Sequence, residues 1–434
     1  MEYRCFLRAA GLIACVSWAP AFAGEAPPAE QTAEQIVVTA SRIDLLGKAS
    51  TASVGTITAK EVALRPIYRP GQLFESIPGL VVTVHSGEGK ASQYLIRGYN
   101  LDHGTDFASF VDDMPVNRPT NTHGQGYSDL SFLIPQVVDA IDYTKGPYYA
   151  AIGDFGSVAS AHTRLADVLP TQLSATLGTD RYQDVSIGGT VHLAGGQHVL
   201  GALDLSHYDG PWQPGQNFKK VNAVLRYSAG TPKDGFSLTG MFYQSSGLLT
   251  TDQPLRAIEA GTISRFGTLD PSDASRSLRY SLSAHWDKPV GPGQLALSLY
   301  GIHSTMTLWN NFTHYLDDPV NGDQEQQDES RTTLGGALSY TLHHDLAGLK
   351  SETVVGLQSR YDTNFVDRRH TLHRTTVLGY CELEQADGPA QPYQAVDGYC
   401  NADHVHLLDL GGYIENTLHW TPWLRTSFEW KPTP

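Results

Sequence analysis

Residues 236–243, Phe-Ser-Leu-Thr-Gly-Met-Phe-Tyr, decide the fold of this chain. In an extended strand, successive side chains point to opposite faces of the sheet. The even positions carry apolar groups or glycine: Phe236, Leu238, Gly240 and Phe242. The odd positions, which point to the opposite face, carry Ser237, Thr239, Met241 and Tyr243. One face suits lipid and the other a water-filled lumen, which is the alternation typical of a transmembrane β-barrel.

The same alternation recurs from about Gln172 to the end of the chain, where it predicts roughly eleven strands. Near the C-terminus, one side carries Leu408, Leu410, Gly412, Ile414, Leu418 and Trp420. The opposite side carries Asp409, Tyr413, Glu415, Thr417 and His419. The strands of a soluble β-sandwich also alternate, so the lengths of the connections have to separate the two folds.

Short and long connections alternate between successive predicted strands. The short ones are residues 194–196, 229–234, 288–292, 344–348 and 421–423. Long polar connections lie between them at residues 209–216, 246–274, 311–327 and 370–403. The first hairpin, near residues 179–181, is short where a long one is expected. Tight periplasmic turns and long extracellular loops are typical of outer-membrane barrels, and a sandwich has no reason to keep this parity.

The composition also favours a membrane barrel. The chain has 42 Gly, 21 Tyr, 14 Phe and 7 Trp, only 17% charged residues and a net charge of −15. Soluble domains usually carry about a quarter charged residues. The negative charge argues against nucleic acid as a partner and suits cations or metal chelates. Because the sequence has no Gly-x-Ser-x-Gly, His-Glu-x-x-His or phosphate-binding motif, we expect neither an enzyme nor a cofactor.

Residues 1–23 are interpreted as a cleaved signal peptide. A basic start is followed by an apolar stretch at residues 9–19 and by the small-x-small site Ala21-Phe22-Ala23. The alternative is a lipoprotein signal with lipid on Cys15, but Arg8 would then leave too short an apolar region. No later apolar run approaches the ~20 residues that a membrane helix needs. The sequence therefore predicts an exported protein.

Two cysteines remain in the mature chain, Cys381 and Cys400, because Cys5 and Cys15 leave with the leader. A single pair of cysteines in an oxidising compartment predicts a disulfide. The parity of the connections places both cysteines in one extracellular loop, where such a bond persists.

Residues 24–44 form a flexible tether that contains a short β-prone segment. The tether residues 26–33, Ala-Pro-Pro-Ala-Glu-Gln-Thr-Ala, offer nothing to pack. The segment that follows consists of Glu34, Gln35, Ile36, Val37, Val38, Thr39 and Ala40. Its β-branched residues favour an extended backbone, with which a partner can pair by β-augmentation. This segment resembles the TonB box, by which outer-membrane receptors are pulled by the energy-coupling protein TonB of the inner membrane.

Residues 45–165 resemble the plug domain of TonB-dependent outer-membrane receptors. The resemblance is carried by Gln-Leu-Phe-Glu-Ser-Ile-Pro-Gly-Leu-Val-Val at 72–82, Tyr-Leu-Ile-Arg-Gly-Tyr at 94–99, Phe-Val-Asp-Asp-Met-Pro-Val at 110–116 and the segment 137–147. The sequence departs from the family at Lys145, where Arg is usual, and at residues 152–165, which lack the usual Gly-Gly-x-Ile-x-x strand. The resemblance implies an α+β plug domain followed by an antiparallel transmembrane β-barrel at residues 170–434.

This resemblance also implies active import. Substrate would bind between the plug and the extracellular loops, and a pull on the TonB box would open a path without making or breaking a bond. The expected substrate is a ferric siderophore or another metal chelate. The alternatives are a bare transition-metal ion (Zn, Cu or Ni) and a passive porin, which would have neither box nor plug. The expected location is the Gram-negative outer membrane.

The barrel is expected to be incomplete. Barrels of this family have about 22 strands, and residues 170–434 provide about 11 of them. The end of the chain, Trp430 to Pro434, lacks the final aromatic residue by which outer-membrane barrels are usually recognised. An open sheet in lipid would leave backbone groups unsatisfied at both edges. We therefore expect a truncated receptor.

By resemblance, three plug loops near residues 85–90, 100–106 and 118–127 should meet the substrate. The candidate binding residues in and beside these loops are His85, Asp102, His103, Asp106, His123 and Tyr127. Three imidazoles with nearby carboxylates suit a borderline metal such as Zn, Cu or Ni, with His85, His103 and His123 as ligands. Two other interpretations stay open, polar contacts to an organic chelate and solvated loop residues. Arg97, in a predicted strand, and Lys145 are expected to lock the plug to the barrel through salt bridges.

Overall fold

The computed structural model describes residues 51–84, 88–250, 252–316, 318–320, 322–377, 381–383, 391–393 and 401–430. The predicted signal peptide, the TonB-box segment and His85 lie outside the described residues. Cys400 and the side chain of Cys381 also lie outside them, so the disulfide stays a prediction. No helix in the described part of the chain is long and apolar enough to cross a membrane.

The N-terminal domain contains two small sheets. The first is built from β1 (Val54–Thr58), β5 (Phe107–Val111), β6 (Met114–Pro115), β7 (Val138–Lys145) and β8 (Ala159–Leu165). The second is built from β2 (Leu80–Thr83), β3 (Gln93–Ile96) and β4 (Tyr99–Asn100). The helical segments are α1 (Ala59–Ala63) and three 3₁₀ turns, Pro70–Ser76, Pro135–Val137 and Ala150–Ile152. The strand order of the first sheet is β1-β7-β8-β5-β6.

Strand β1 lies at one edge of the five-stranded sheet. It pairs antiparallel with β7 along its whole length, from Val54 opposite Thr144 to Thr58 opposite Ala140. The chain then turns directly into α1, because the side chain of Thr58 accepts a hydrogen bond from the N–H of Glu61 at 3.3 Å.

Strand β8 forms although the sequence there lacks the usual family pattern.

An aromatic cluster joins the two small sheets. Phe74 packs edge-on against Phe107 at a ring-centroid distance of 5.3 Å. Tyr94 lies 5.4 Å from Phe107, and its hydroxyl donates to the carbonyl oxygen of Ser128 at 3.2 Å. Since Tyr94 is on β3 and Phe107 is on β5, the buried cluster fixes the position of one sheet relative to the other. Such aromatic pairs contribute about 0.5–1.5 kcal/mol each beyond their burial.

Residues 172–430 form one large antiparallel sheet. Its strands are β9 (Gln172–Leu177), β10 (Gln183–Leu193), β11 (Gln197–Tyr208), β12 (Phe218–Thr231), β13 (Asp234–Leu248), β14 (Ala274–Val290), β15 (Gly293–Asn311), β16 (Gln324–Leu346), β17 (Leu349–Leu372), β21 (Asn401–Thr421) and β22 (Leu424–Trp430). The minor elements are α2 (Leu255–Glu259), β18 (Thr375–Thr376), β19 (Cys381–Leu383) and β20 (Gln391–Tyr393). Each large strand pairs with the next along the chain, and β17 pairs with β21. The predicted fold class and the strand count of about eleven are confirmed.

Short turns and long connections alternate along this sheet as predicted. Residues 194–196 join β10 to β11, whereas residues 249–273 join β13 to β14 and contain α2. We call the end of the sheet with the long connections 209–217, 249–273 and 312–323 the loop end, and the opposite end the turn end.

The two faces of the sheet differ as the alternation predicts, and the inner face is packed where the N-terminal domain lies. Leu225, Leu282 and Leu357 point outward and are more than half exposed. On the inner face, Met241 and Tyr243 are buried in the same apolar cluster as the core of the N-terminal domain. The domain therefore packs directly on the sheet, because large inner side chains meet its apolar surface.

The sheet is open in the part of the chain that the structure describes. Strand β9 pairs there with β10, and β22 pairs with β21, and the two strands form the outer edges of the sheet. All residues of β9 are exposed. This arrangement agrees with the incomplete barrel expected from the sequence.

Candidate functional site

Two loops of the N-terminal domain reach the loop end of the large sheet. These are residues 100–106 and 118–127, which we call the apical loops. The ring of His123 stacks on Phe312, which lies in the long connection after β15, at 6.1 Å. Nδ1 of His123 lies 3.1 Å from Oε1 of Gln327 on β16. The apical loops are therefore presented beside the long connections.

Local hydrogen bonds set the shape of the loop 118–127. Its base is a short bridge, in which the N–H of Arg118 donates to Tyr127 O at 3.1 Å and the N–H of Gly126 donates to Arg118 O at 2.9 Å. At its tip, Oδ1 of Asn121 accepts from the N–H of His123 at 2.9 Å. An asparagine side chain that bonds two residues onward is a common turn former. This turn directs His123 toward the other apical loop.

Glycine is required where the two apical loops approach each other. Gly104 has a φ of +129°, and a Cβ there would lie 2.6 Å from Cβ of Ser128 and 2.8 Å from the carbonyl oxygen of Gly126. Any larger residue would push the loops apart. Gly104 therefore allows its neighbour His103 to reach His123.

His103 and His123 form a close imidazole pair. Their Nε2 atoms lie 3.2 Å apart and their ring centroids 4.9 Å apart. His103 is buried, and its Nδ1 donates to the carbonyl oxygen of Ser92 at 3.2 Å, since a carbonyl oxygen only accepts. Metal–nitrogen bonds of about 2.0–2.1 Å would place two ligating nitrogens at a similar separation. The pair can therefore share a proton or supply two ligands to a metal ion.

The other predicted site residues lie in different settings. Exposed Asp102 has its Oδ1 3.7 Å from Nε2 of His103. Tyr127 is fully buried, 5.6 Å from the ring of His103, and its hydroxyl accepts from the N–H of Ala91 at 2.8 Å. Asp106 instead accepts from the hydroxyl of Ser157. The structure thus brings together Asp102, His103, His123 and Tyr127. Among the described residues, no group of three or more His, Cys, Asp or Glu is placed to hold a metal ion.

Burial controls the charge of two groups beside this site. It lowers the pKa of Lys90 to about 8, although the negative charge of Asp102 acts in the opposite direction. Burial also raises the pKa of Tyr127 well above its ordinary value, so its hydroxyl stays protonated at neutral pH. Lys90 is therefore the one of these two groups that can change its charge in a mildly alkaline medium.

Glu329 on β16 connects an apical loop to the large sheet. Its buried carboxylate accepts from Arg118 at 2.9 Å and from Asn121 at 2.8 Å. The same carboxylate accepts from Arg331 at 3.2 Å, and Arg331 in turn pairs with Asp362 at 2.8 Å. Any movement of the loop that carries His123 must therefore disturb a buried chain of ion pairs.

A two-residue turn makes the second polar attachment. Asp112 and Asp113 lie between β5 and β6, with positive φ values of 45° and 64°. Asp112 pairs with Arg226 on β12, which also binds Asp167 at 2.9 Å. Asp113 pairs with His285 on β14 at 3.1 Å. One tight turn therefore holds two separate strands of the large sheet.

The expected plug–barrel salt bridges of Arg97 and Lys145 stay a prediction. The placement of Arg97 within a strand is wrong, because it is exposed in the turn between β3 and β4 with a φ of 49°. Lys145 is buried, and its Nζ donates to Pro78 O at 3.4 Å and lies 5.3 Å from the centre of the Tyr143 ring. Within the described residues, neither cation forms an ion pair with a carboxylate. Arg118 and Arg226 are among the cations that form ion pairs between the two domains in the described part of the chain.

Sequence reasoning did not single out the partners that the sheet contributes. These partners are Arg226, Phe312, Gln327, Glu329 and Arg331. A signal for the last three was present, because residues 327, 329, 331 and 333 occupy every second position of β16 and share its inner face. The sequence could not show which of these inner positions lies beside the apical loops.

Comparison with known proteins identifies the N-terminal domain. Residues 47–159 match the family described as the TonB-dependent Receptor Plug Domain. Residues 47–159 are therefore a plug domain of the TonB-dependent receptor type. The described chain as a whole resembles these receptors in its fold. The N-terminal domain is the plug, and the large sheet is part of the barrel, as in solved structures of this fold. The family consists of outer-membrane transporters and receptors, not of enzymes.

Similar proteins carry different cargoes. The vitamin B12 transporter BtuB of Vibrio cholerae serotype O1 is 27% identical over 209 residues, which cover 45% of this chain and 33% of that protein. The ferric citrate transporter FecA superposes with a TM-score of 0.63 at 11% identity, over 87% of this chain and 62% of the other. The copper transporter OprC superposes with a TM-score of 0.60 at 14% identity, over 87% and 54%. This chain therefore spans about a third of the curated relative and over half of each solved structure.

Proposed function

We propose that this chain is the plug and the N-terminal part of the barrel of a receptor that imports a metal chelate across the outer membrane, driven by TonB. One observation carries the proposal: the plug lies on the inner face of the sheet and presents His103 and His123 at the loop end. A signal peptide cleaved after Ala23 would export the protein, and residues 34–40 would engage TonB.

The apical site suits an organic chelate such as a ferric siderophore. Phe312 supplies an aromatic surface beside His123, and Gln327 and Asn121 supply amide groups. Pockets for organic ligands typically combine apolar or aromatic surface with a few well-placed polar groups. Because Lys90 and Asp102 lie close by with opposite charges, the site can also discriminate between chelates by charge.

Replacing Val38 by proline is expected to abolish uptake while leaving substrate binding unchanged. Proline removes a backbone N–H and fixes φ, so the segment loses a donor for pairing with a partner strand. The measurement is uptake of a labelled ferric siderophore by cells that express the receptor, together with its binding to energy-depleted cells.

Ala29→Pro provides the matched control, because it places proline in a tether that already contains Pro27 and Pro28. This variant should transport normally. Normal uptake by the Val38→Pro receptor would contradict the coupling to TonB. Uptake that persists after the proton-motive force is dissipated would favour a passive porin.

A bare transition-metal ion is the second candidate substrate, and the 3.2 Å separation of the two Nε2 atoms favours it. In this case, His103→Ala should weaken Zn²⁺ binding at least tenfold at about pH 7, and hardly at all near pH 5. The reason is that a protonated imidazole cannot ligate a metal. Isothermal titration calorimetry at both pH values measures the effect.

His419→Ala is the control for this titration, because His419 is exposed at the turn end of the barrel. It should bind Zn²⁺ as the unchanged protein does. If the unchanged protein binds no Zn²⁺ but binds a ferric chelate tightly, the bare-ion candidate is wrong and the chelate remains.

A further inference from the structure

A small cavity separates β6 of the plug from the wall of the barrel. Its volume is about 20 Å³, which is enough for one water molecule or an ion of similar size. The charged residues that line it are Arg118, Asp129, Arg279, Arg331 and Arg360. Hydroxyl groups of Ser277, Ser304 and Thr333 also line it. The cavity wall therefore consists largely of cations and hydrogen-bond donors.

Arg279 on β14 is the unusual member of this set. The side chain is only 7% exposed, and no carboxylate among the described residues lies within ion-pair distance of it. Its guanidinium donates to the Ser281 hydroxyl at 3.0 Å and to the sulfur of Met114 at 3.5 Å, and it lies 3.8 Å from the centre of the Phe132 ring. A hydroxyl, a thioether and an aromatic face do not neutralise a buried positive charge.

The neighbouring arginines do not leave a spare carboxylate for Arg279. Arg118 and Arg331 share Glu329, and Arg331 and Arg360 share Asp362. Three guanidinium groups therefore share two carboxylates. The remaining carboxylate of the lining, Asp129, accepts from the N–H of Ser131 at 2.9 Å and attracts Arg279 only from beyond ion-pair distance. Counting Arg279 and Asp129, the cavity is surrounded by one more positive than negative charge.

We propose that this cavity is a binding site for a small monovalent anion of halide size. The Arg279 guanidinium has donors beyond its two hydrogen bonds, and the hydroxyls of the wall can donate as well. Such an anion completes the charge balance in a region shielded from water. Because Met114 of the plug contacts Arg279 of the barrel, the bound anion strengthens the attachment of β6 to the wall.

Bromide provides the direct test, because it has the charge of chloride and can be located by its anomalous scattering. Crystals of the purified protein soaked in sodium bromide should show an anomalous peak in contact with the Arg279 guanidinium. If bromide peaks occur only on the outer surface, or are absent, the cavity holds water and the proposal is overturned.

Thermal unfolding in detergent tests the role of Arg279. At constant ionic strength, replacing gluconate by chloride should raise the unfolding midpoint by about 3 °C. Arg279→Gln should abolish this difference. Arg276→Gln is the matched control, since Arg276 is an exposed arginine on the same strand, and it should keep the full difference. If Arg279→Gln also keeps the full difference, the anion binds elsewhere and the assignment is wrong.

Discussion

Replacing Asn117 by alanine is expected to lower the free energy of unfolding of the plug by about 3–5 kcal/mol. Asn117 is buried, and its Oδ1 accepts from the N–H of Ser109 at 2.7 Å. Its Nδ2 donates to the carbonyl oxygens of Gly104, Phe107 and Gly126 at 3.0, 2.9 and 3.0 Å. Alanine would remove all four of these bonds to buried backbone groups, although Gly104 O would still accept from the N–H of Phe107 at 3.1 Å. Both apical loops would then be released.

Hydrogen exchange of the Val116 amide measures this effect, because that N–H donates to Ser109 O within the affected region. Exchange there should accelerate by at least a hundredfold. Asn100→Ala is the control, since Asn100 is exposed and its side chain accepts from the N–H of Asp102 at 3.0 Å. This substitution should lower the free energy of unfolding by less than about 1 kcal/mol. Equal exchange rates in the two variants would show that Asn117 does not hold the loops together.

Replacing Arg226 by alanine is expected to weaken the attachment of the plug to the barrel by about 3–5 kcal/mol. Arg226 pairs with Asp112, and the two side chains are only 8% and 12% exposed. Without the guanidinium, the Asp112 carboxylate keeps the N–H of Leu165 at 2.9 Å but loses its counter-charge. Exchange of the Leu165 amide should therefore accelerate, and the plug should become more sensitive to protease.

The cost of Arg226→Ala should depend on pH. Burial raises the pKa of Asp112 above its ordinary value even with Arg226 opposing that shift, and removing the cation raises the pKa further. A carboxyl group whose pKa is higher in the folded state than in the unfolded state loses stability as the pH rises between those two values. The variant should therefore be less damaged at about pH 5 than at about pH 8.

Two further variants distinguish the loss of this buried ion pair from a general effect of removing a charged side chain. Arg226→Met combined with Asp112→Asn removes both charges and should recover most of the lost protection. Lys288→Ala breaks an exposed pair with Asp234 and should cost no more than about 0.5 kcal/mol. If Arg226→Ala protects the Leu165 amide as well as the unchanged protein does, the attachment lies elsewhere.

The barrel was predictable from the sequence because each strand meets two different environments. Outward residues such as Leu225 on β12 and Leu282 on β14 alternate with inward residues along their own strands, and the turns interrupt this alternation. The plug lacks such a signal, since β4 and β6 are only two residues long. Its fold was therefore predictable only through resemblance. The alternation alone could not show where the plug covers the inner face, because the size of Tyr243 fits a packed surface as well as a solvated one.

The candidate site was only partly predictable. Resemblance placed His103 and His123 in neighbouring loops, but their contact depends on the conformation of Gly104. Gln327 lies far along the chain and reaches His123 only through the seating of the plug against β16. The partners in the ion pairs could not be predicted either, because the sequence contains many arginines and aspartates that are chemically equivalent as partners. Nothing in the sequence favours Arg226 over Arg97 until the sheet places one of them opposite Asp112.

A force applied to the chain ahead of Val54 would load β1 before any other strand. Since β1 contacts β7 alone within its sheet, its extraction would rupture one ladder of five residue pairs and leave β7, β8, β5 and β6 joined. The turn that attaches the plug to β12 and β14 lies at the far edge of this sheet, beyond β5. The plug is therefore expected to unfold in steps. Loss of β1 opens a gap along one edge of the sheet, while the turn at the opposite edge stays attached to the barrel.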